Sequence, residues 1–157
     1  MKVNIGFKEN QRRGVVELLA ALLADEVTLY IKTRNFHWNV EGTDFGELHK
    51  FFEAQYEELD EIMDEVAERI RALGHYAPGS LGEFSKAARL KEAKGGKLPP
   101  KEMLATLLDD HETTVRTLRD GIEAVGAKHG DKGTEDFLTG LMEQHEKMAW
   151  MLRAYLG

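Results

Sequence analysis

The sequence predicts an all-α protein, a four-helix bundle with one short extra helix in its long middle connection. Apolar residues recur at spacings of three and four along four long stretches, and no stretch alternates as a strand does. Glycine and proline cluster between these stretches, at residues 74–79, 95–100 and 130–133. We expect one domain over residues 1–157, with residues 1–8 as a short N-terminal arm.

Each helix has its own start and stop signals. Gly42 lies just past the first apolar stretch, where glycine commonly ends a helix. Thr43 or Asp44 then suits an N-cap, with Glu47 three residues after Asp44 as in a capping box. Pro100 suits a first helical turn. The predicted helices run from about Glu9 to Asn39, Asp44 to Leu73, Leu81 to Ala88, Pro100 to Lys128 and Thr134 to Tyr155.

Composition excludes several classes of protein and site. The absence of cysteine rules out disulfides, thiolate zinc sites and iron–sulfur clusters, and it fits a reducing cytosol. The net charge of −7 argues against a surface built to wrap nucleic acid. The first residues have no apolar run like that of a signal peptide. No apolar stretch is long enough to span a membrane, so we expect no membrane partner.

The residues that suit a metal lie around the turn between the first two helices. His37 falls in the last turn of the first helix and His49 in the first turns of the second. Four acids follow along one side of the second helix, beside its apolar face. They are Glu53, Asp60, Asp64 and Glu68. Nitrogen and carboxylate ligands together favour iron or zinc over magnesium or calcium.

Helix length prevents these ligands from meeting within one chain. Glu53 and Asp64 are eleven residues apart, which is roughly 16 Å along a helix, whereas bonds from such ligands to zinc are about 2 Å. His37, His49 and Glu53 therefore form one half-site, and Asp64 with Glu68 forms another. An antiparallel partner helix would join the two kinds of half-site, and a two-fold dimer would make two equal sites.

The other histidines suggest no metal site inside the bundle. Ferritin-like proteins with such a site use Glu-x-x-His, and no histidine here has glutamate three residues before it. We expect His111, His129 and His145 to be structural or exposed, because no acid–histidine group can be assembled around them from the sequence, and His75 lies in a loop that gives no further sign. Trp150 is expected in the core.

The central motif resembles that of the Dps family of miniature ferritins, which belongs to the ferritin-like superfamily. The similarity rests on Lys-Thr-x-Asn-Phe-His-Trp-Asn-Val at 32–40, on the histidine twelve residues after His37, and on Asp-Glu-x-Ala-Glu-Arg at 64–69. The run His-Glu-Lys-Met-Ala-Trp-Met-Leu-Arg at 145–153 is similar to the end of many members. The resemblance covers about residues 10–156.

The resemblance implies a function as well as a ferritin-like fold. It implies iron storage in a hollow dodecamer of two-fold dimers, with ferrous iron oxidised by hydrogen peroxide or O2 at di-iron sites between subunits. Zinc is a possible substitute metal. The same family implies protection against oxidative stress in the cytoplasm. It also leaves association with the nucleoid open.

The resemblance also implies roles for single residues. His37, His49, Glu53, Asp64 and Glu68 match the metal ligands, with Glu53 standing where many members have aspartate. Because glutamate has a longer side chain than aspartate, two alternatives remain open for Glu53, namely direct contact with the metal and contact through a water molecule. Trp38 matches a residue with a redox role, against the alternative of packing at an interface. Asp60 is not among the matched residues, and from its place on the same helix we expect an acid at the dimer interface or one that supports the ligands.

A second acidic group begins the last predicted helix. Asp131, Glu135 and Asp136 suit helix capping and a favourable interaction with the helix dipole. The resemblance implies instead that such acids line a three-fold pore, with Asp136 the best match. Lys132 departs from members that have an acid there.

Two alternatives remain beside the ferroxidase. The first is a non-catalytic binding protein, the same cage holding zinc or another divalent ion or coating DNA. The second is a purely structural helical bundle. The N-terminal segment carries Lys2, Lys8, Arg12 and Arg13 as a short basic arm. We expect DNA binding to be weak, because the net charge is negative and no basic tail follows Gly157.

Overall fold

The computed structural model describes residues 3–157. This part of the chain contains five α-helices and one π-helical turn. The helices are α1 (Glu9–Asn39), α2 (Phe45–Ala72), α3 (Leu81–Ala87), α4 (Pro100–Glu123) and α5 (Lys132–Leu156). Helices α1 and α2 pack as one pair, α4 and α5 as another, and α3 lies against α1 in the long connection between the pairs. The predicted all-α bundle with a short middle helix is confirmed. Residues 1–2 of the predicted arm lie outside the described residues.

The residues between α1 and α2 act differently from the prediction in two respects. Helix α1 ends at Asn39, as predicted, because Val40 is already extended, and Gly42 takes its positive φ of 118° only in the following turn. Asp44 is the N-cap of α2, yet its side chain makes no capping hydrogen bond. At the other end of the bundle, α4 continues as a π-helical turn over Ala124–His129 and stops at Gly130, whose φ of 70° is left-handed.

The core lies between the four long helices and consists of leucine, isoleucine, valine, phenylalanine and methionine side chains. Phe52 and Leu59 on α2 are fully buried, as are Leu19 and Leu29 on α1. The expectation that Trp150 belongs to this core is wrong, because its side chain is 61% exposed. No helix within residues 3–157 has both the length and the apolar character needed to cross a membrane.

A buried carboxylate fixes the long connection onto the bundle. Asp25 on α1 is 4% exposed, and its Oδ1 accepts hydrogen bonds from the backbone N–H groups of Arg89 (2.6 Å) and Leu90 (3.0 Å). Its Oδ2 also pairs with the Arg89 guanidinium at 2.7 Å. Because these contacts satisfy backbone donors just after α3, they hold that helix against α1.

Three fully buried polar side chains form a chain through the core. His145 Nε2 on α5 lies 3.1 Å from Glu26 Oε1 on α1, and His145 Nδ1 lies 2.9 Å from His111 Nδ1 on α4. The expectation that no acid joins these histidines is therefore wrong, because Glu26 contacts His145, which in turn contacts His111. The three residues stand on three different helices, so no local spacing in the sequence could join them.

We predict that the buried Glu26–His145–His111 group makes the fold sensitive to acid. Burial, followed by the charge of His145, holds the pKa of His111 well below its ordinary value of 6.5. The unfolded chain therefore binds a proton below about pH 6.5 that the folded chain does not, and the free energy of unfolding falls by about 1.4 kcal/mol per pH unit for this group as pH decreases.

Urea unfolding between pH 7.5 and 5.5, at one protein concentration, measures this slope. The variant His111→Gln removes the titrating ring, and we expect a shallower dependence on pH. A slope equal to that of the unmodified protein would show that His111 is not the acid-sensitive group.

Candidate metal centre

Two histidine rings face each other across the turn between α1 and α2. The rings of His37 and His49 are stacked, with centroids 3.7 Å apart and planes inclined by 23°. His37 Nδ1 lies 2.8 Å from the carbonyl oxygen of His49, and His49 Nδ1 lies 2.8 Å from the carbonyl oxygen of His37. The turn that Gly42 allows is therefore closed by a reciprocal pair of side-chain hydrogen bonds.

These hydrogen bonds fix the tautomer of both rings. A carbonyl oxygen only accepts, so Nδ1 carries the proton in each histidine. In the neutral ring Nε2 then has a lone pair, which is the arrangement of a metal-binding histidine whose other nitrogen donates to a carbonyl. His37 is 7% exposed and His49 half-buried. The pair thus offers two oriented nitrogen ligands at the end of the bundle.

A carboxylate and a phenol lie beside this pair. Glu53 is half-buried one turn after His49, and its Oε1 accepts a hydrogen bond from the Tyr56 hydroxyl at 3.3 Å. The Tyr56 ring meets the His37 ring edge-on, with centroids 5.2 Å apart. Burial, and next the charge of Glu53, raises the pKa of Tyr56, so the phenol keeps its proton.

The other predicted acids lie further along α2. Asp64 is exposed and lines a groove of 490 Å³ with Asp60 and apolar residues of α1 and α3. Glu68 is exposed beside Arg69 and Phe137, in a second groove. Within residues 3–157 no lysine, arginine or histidine nitrogen lies within 4.0 Å of Asp64 or Glu68.

The structure does not bring the two groups of ligands together. Helix α2 is continuous from Phe45 to Ala72, so Glu53 and Asp64 are separated by roughly 16 Å of helix. Among the described residues 3–157, no three histidine, aspartate or glutamate side chains converge as a metal site. The predicted ligands therefore lie in two separate groups along α2.

Trp38 lies on the surface next to the histidine pair. Its side chain is 60% exposed, and the guanidinium of Arg34 sits 5.4 Å from its ring centroid. The position agrees with both alternatives, a redox-active residue and a packing residue at an interface. The sequence pattern gave no sign of the contacts that Arg34 makes.

The acids at the start of α5 have different surroundings. Asp131 is 3% exposed and caps the helix through the backbone N–H of Thr134 at 3.0 Å, while Arg69 pairs with it at 3.2 Å. Glu135 pairs with Lys132 at 2.6 Å. Asp136 is exposed. Capping therefore describes Asp131, and Asp136 is the acid left facing solvent.

The basic arm is smaller than its sequence indicates. Arg12 is 7% exposed, donates to the carbonyl oxygen of Leu73 at 3.1 Å and pairs with Glu9 at 2.5 Å. It serves to join α1 to the end of α2. Lys2 lies outside the described residues, and Lys8 and Arg13 are exposed.

Comparison with known proteins identifies the family. The protein-family model of the ferritin-like domain matches residues 16–157 of this chain. The chain is 46% identical over 155 residues to an uncharacterised low temperature-induced protein of Nostoc, covering 99% of this chain and 87% of that one. It is 36% identical over 141 residues to the DNA protection during starvation protein of Helicobacter pylori, covering 90% and 97%.

A solved structure agrees over the whole length. The Dps protein of Vibrio cholerae, described as a member of a broad superfamily of ferritin-like diiron-carboxylate proteins, matches with a TM-score of 0.92 at 33% identity. The match covers 100% of this chain and 98% of that one. The chain therefore belongs to the ferritin-like family and, within it, to the Dps proteins.

Proposed function

We propose that this protein oxidises ferrous iron at sites shared between two subunits and stores the ferric product inside a hollow shell, which protects the cell from oxidative stress. The observation that carries the proposal is the His37–His49 pair, in which both rings hold Nδ1 on a carbonyl and leave Nε2 for a metal. Iron is the substrate and the stored product. Zinc suits the same ligands and would compete for them.

A two-fold dimer supplies the ligands that one chain lacks. If α2 crosses the same helix of a second subunit antiparallel near Tyr56–Asp60, the histidine end of each chain meets the Asp64–Glu68 end of the other. Each site then has two nitrogen ligands and three carboxylates, from His37, His49 and Glu53 of one chain with Asp64 and Glu68 of its neighbour. Twelve such subunits in a closed shell are the assembly that the family favours.

The surface around these residues supports association with a second copy. Ile31 on α1 is 49% exposed and Leu81 on α3 is 79% exposed. Between them lies a groove of 310 Å³ lined by Val27, Phe84 and Leu90, among others. Exposed large apolar side chains around a groove are typical of an interface between subunits.

The chemistry follows from electron counting. Each ferrous ion gives one electron, and hydrogen peroxide needs two, so two irons at one site reduce it with two protons to two waters. No hydroxyl radical leaves the site, because both electrons are delivered there. His37 and His49 bind as neutral ligands, and the carboxylates balance the increased charge of ferric iron.

Acidic surfaces would attract ferrous iron into the shell and hold the ferric product there. We propose that Asp136, the exposed acid at the start of α5, lines a pore through which cations enter by electrostatic focusing. Glu135 contributes less, since Lys132 neutralises it.

We place the shell in the cytoplasm and expect little binding to DNA at physiological salt, because the chain is acidic and Arg12 is occupied.

Anaerobic mixing of the protein with ferrous iron and hydrogen peroxide tests the proposal. We expect ferric iron to form faster than in buffer alone, with two irons consumed per peroxide, and zinc added first to inhibit the reaction. Light scattering should give a mass many times the 17.8 kDa of one chain. A monomer that oxidises iron no faster than buffer would refute the proposal, and a shell that binds iron without oxidising it would favour the non-catalytic cage.

A further inference from the structure

Four aromatic rings contact one another in series at the turn between α1 and α2, with the two histidines in the middle. Phe45 lies beside His49, with ring centroids 5.1 Å apart and planes inclined by 35°. His49 stacks on His37 at 3.7 Å, and His37 meets the Tyr56 ring edge-on at 5.2 Å. The Phe45 side chain has no donor or acceptor atom, so it can act on a metal only through the histidine beside it.

The two histidines are held unequally. His37 is 7% exposed and has the rings of both His49 and Tyr56 against it. The His49 ring is half-buried, and its Nδ1 is fixed at 2.8 Å from the carbonyl oxygen of His37. One hydrogen bond leaves a ring free to tilt about that bond, and neighbouring rings restrict the tilt. Loss of Phe45 would remove one of the two rings that do so.

Helix geometry places Phe45 at this position. It is the first residue of α2 and stands four residues before His49, so the two side chains lie on the same face, one turn apart. The Phe45 side chain is 47% exposed and lies outside the buried core. Aromatic pairs gain stability beyond the area that they bury. The ring of Phe45 therefore serves the histidine more than it serves the core.

We propose that Phe45 is a positioning residue for the iron site, which holds the His49 ring so that Nε2 points at the metal position before the metal binds. The inference rests on the proposed function, because it needs His49 as a ligand. A ligand that is already oriented loses less conformational freedom on binding. Loss of a group that supports a metal ligand weakens metal affinity by about 10- to 100-fold. Phe45 thus sets affinity and takes no part in electron transfer.

Titration of the assembled protein with zinc, without iron or oxidant, tests the proposal. Phe45→Leu removes the ring but keeps an apolar residue that suits a helix, and we expect its dissociation constant for zinc to rise by about 10-fold. Phe45→Tyr keeps the ring and should keep the affinity. Tyr76→Leu is the matched control and should bind zinc as the unmodified protein does, because Tyr76 is 89% exposed after α2 and its ring lies against Arg71.

Two further measurements separate positioning from damage to the structure. His49→Ala combined with Phe45→Leu should bind zinc as weakly as His49→Ala alone, because Phe45 acts through His49. With ferrous iron and peroxide, Phe45→Leu should raise the iron concentration that gives half the maximal rate and leave the maximal rate unchanged, since bound iron itself holds the ring. A damaged fold would lower the maximal rate, the helix content or the mass of the assembly.

The two proposals fail in different ways. If zinc binds the unmodified protein and His49→Ala equally well, His49 is no ligand and the proposed iron site fails. If zinc binding depends on His49 but Phe45→Leu binds it as tightly as the unmodified protein, the role of Phe45 is refuted. The role is also refuted if Phe45→Tyr binds zinc as weakly as Phe45→Leu, or if Phe45→Leu weakens binding further in the His49→Ala protein.

Discussion

Alanine in place of His37 is expected to lower the initial rate of iron oxidation by peroxide by at least roughly 100-fold, the upper range for loss of a group that supports a metal ligand. The change removes one nitrogen ligand. It also removes the ring N–H that donates to the carbonyl oxygen of His49. In addition, the His49 ring loses the stacked ring that helps to orient it. The rate of ferric iron formation after anaerobic mixing, with iron below saturation, measures the effect.

His75→Ala is the matched control for this prediction. His75 lies in the connection after α2 and approaches Glu9, away from the histidine pair, so its loss should leave the rate unchanged. Helix content and the mass of the assembly show whether each variant folds. An assembled His37→Ala protein with the unmodified rate would remove His37 from the site.

Methionine in place of Lys32 is expected to destabilise the fold by about 3 kcal/mol, the cost of leaving a buried charge without its partner. Lys32 on α1 is 3% exposed, and its Nζ pairs with Asp110 Oδ2 on α4 at 2.5 Å. Burial raises the pKa of Asp110, and Lys32 opposes that rise. Urea unfolding at pH 7 measures the loss, which should shrink toward acid pH as the carboxyl group takes up a proton.

Two further variants separate the pair from the loss of a lysine as such. Lys32→Met combined with Asp110→Leu should recover most of the stability, because no unpaired carboxylate remains. Lys97→Met breaks an ion pair with Glu41 in which both side chains are largely exposed, and should have little effect. A loss in Lys97→Met equal to that in Lys32→Met would contradict the importance of burial.

The sequence predicted the parts of the fold that depend on local pattern. The spacing of apolar residues located the four long helices, Gly42 lies in the turn between α1 and α2, and Pro100 begins α4 as predicted. The π-helical turn was missed, because Ala124–His129 reads as more of the same helix. Trp150 was misplaced, because one aromatic residue among apolar neighbours does not reveal which side of a helix faces solvent.

Contacts between helices that are distant in the chain were beyond the sequence. The ion pair of Lys32 with Asp110 and the Glu26–His145–His111 chain each join residues on different elements. By contrast, His37 and His49 could be paired in advance, because only a short turn separates them. The spacing along α2 also predicted that Asp64 lies far from Glu53, since an unbroken helix has a fixed rise per residue.

Whether each iron site is shared between two chains is tested most directly by combining two inactive variants. His37→Ala damages one half-site and Asp64→Ala the other, and the two chains can be co-expressed with different tags and purified as mixed assemblies. If sites are shared, a site with His37 from one chain and Asp64 from the other is intact, so about a quarter of the sites recover when pairing is random. Mixed assemblies that oxidise iron no faster than either variant alone would show that each chain forms its own site.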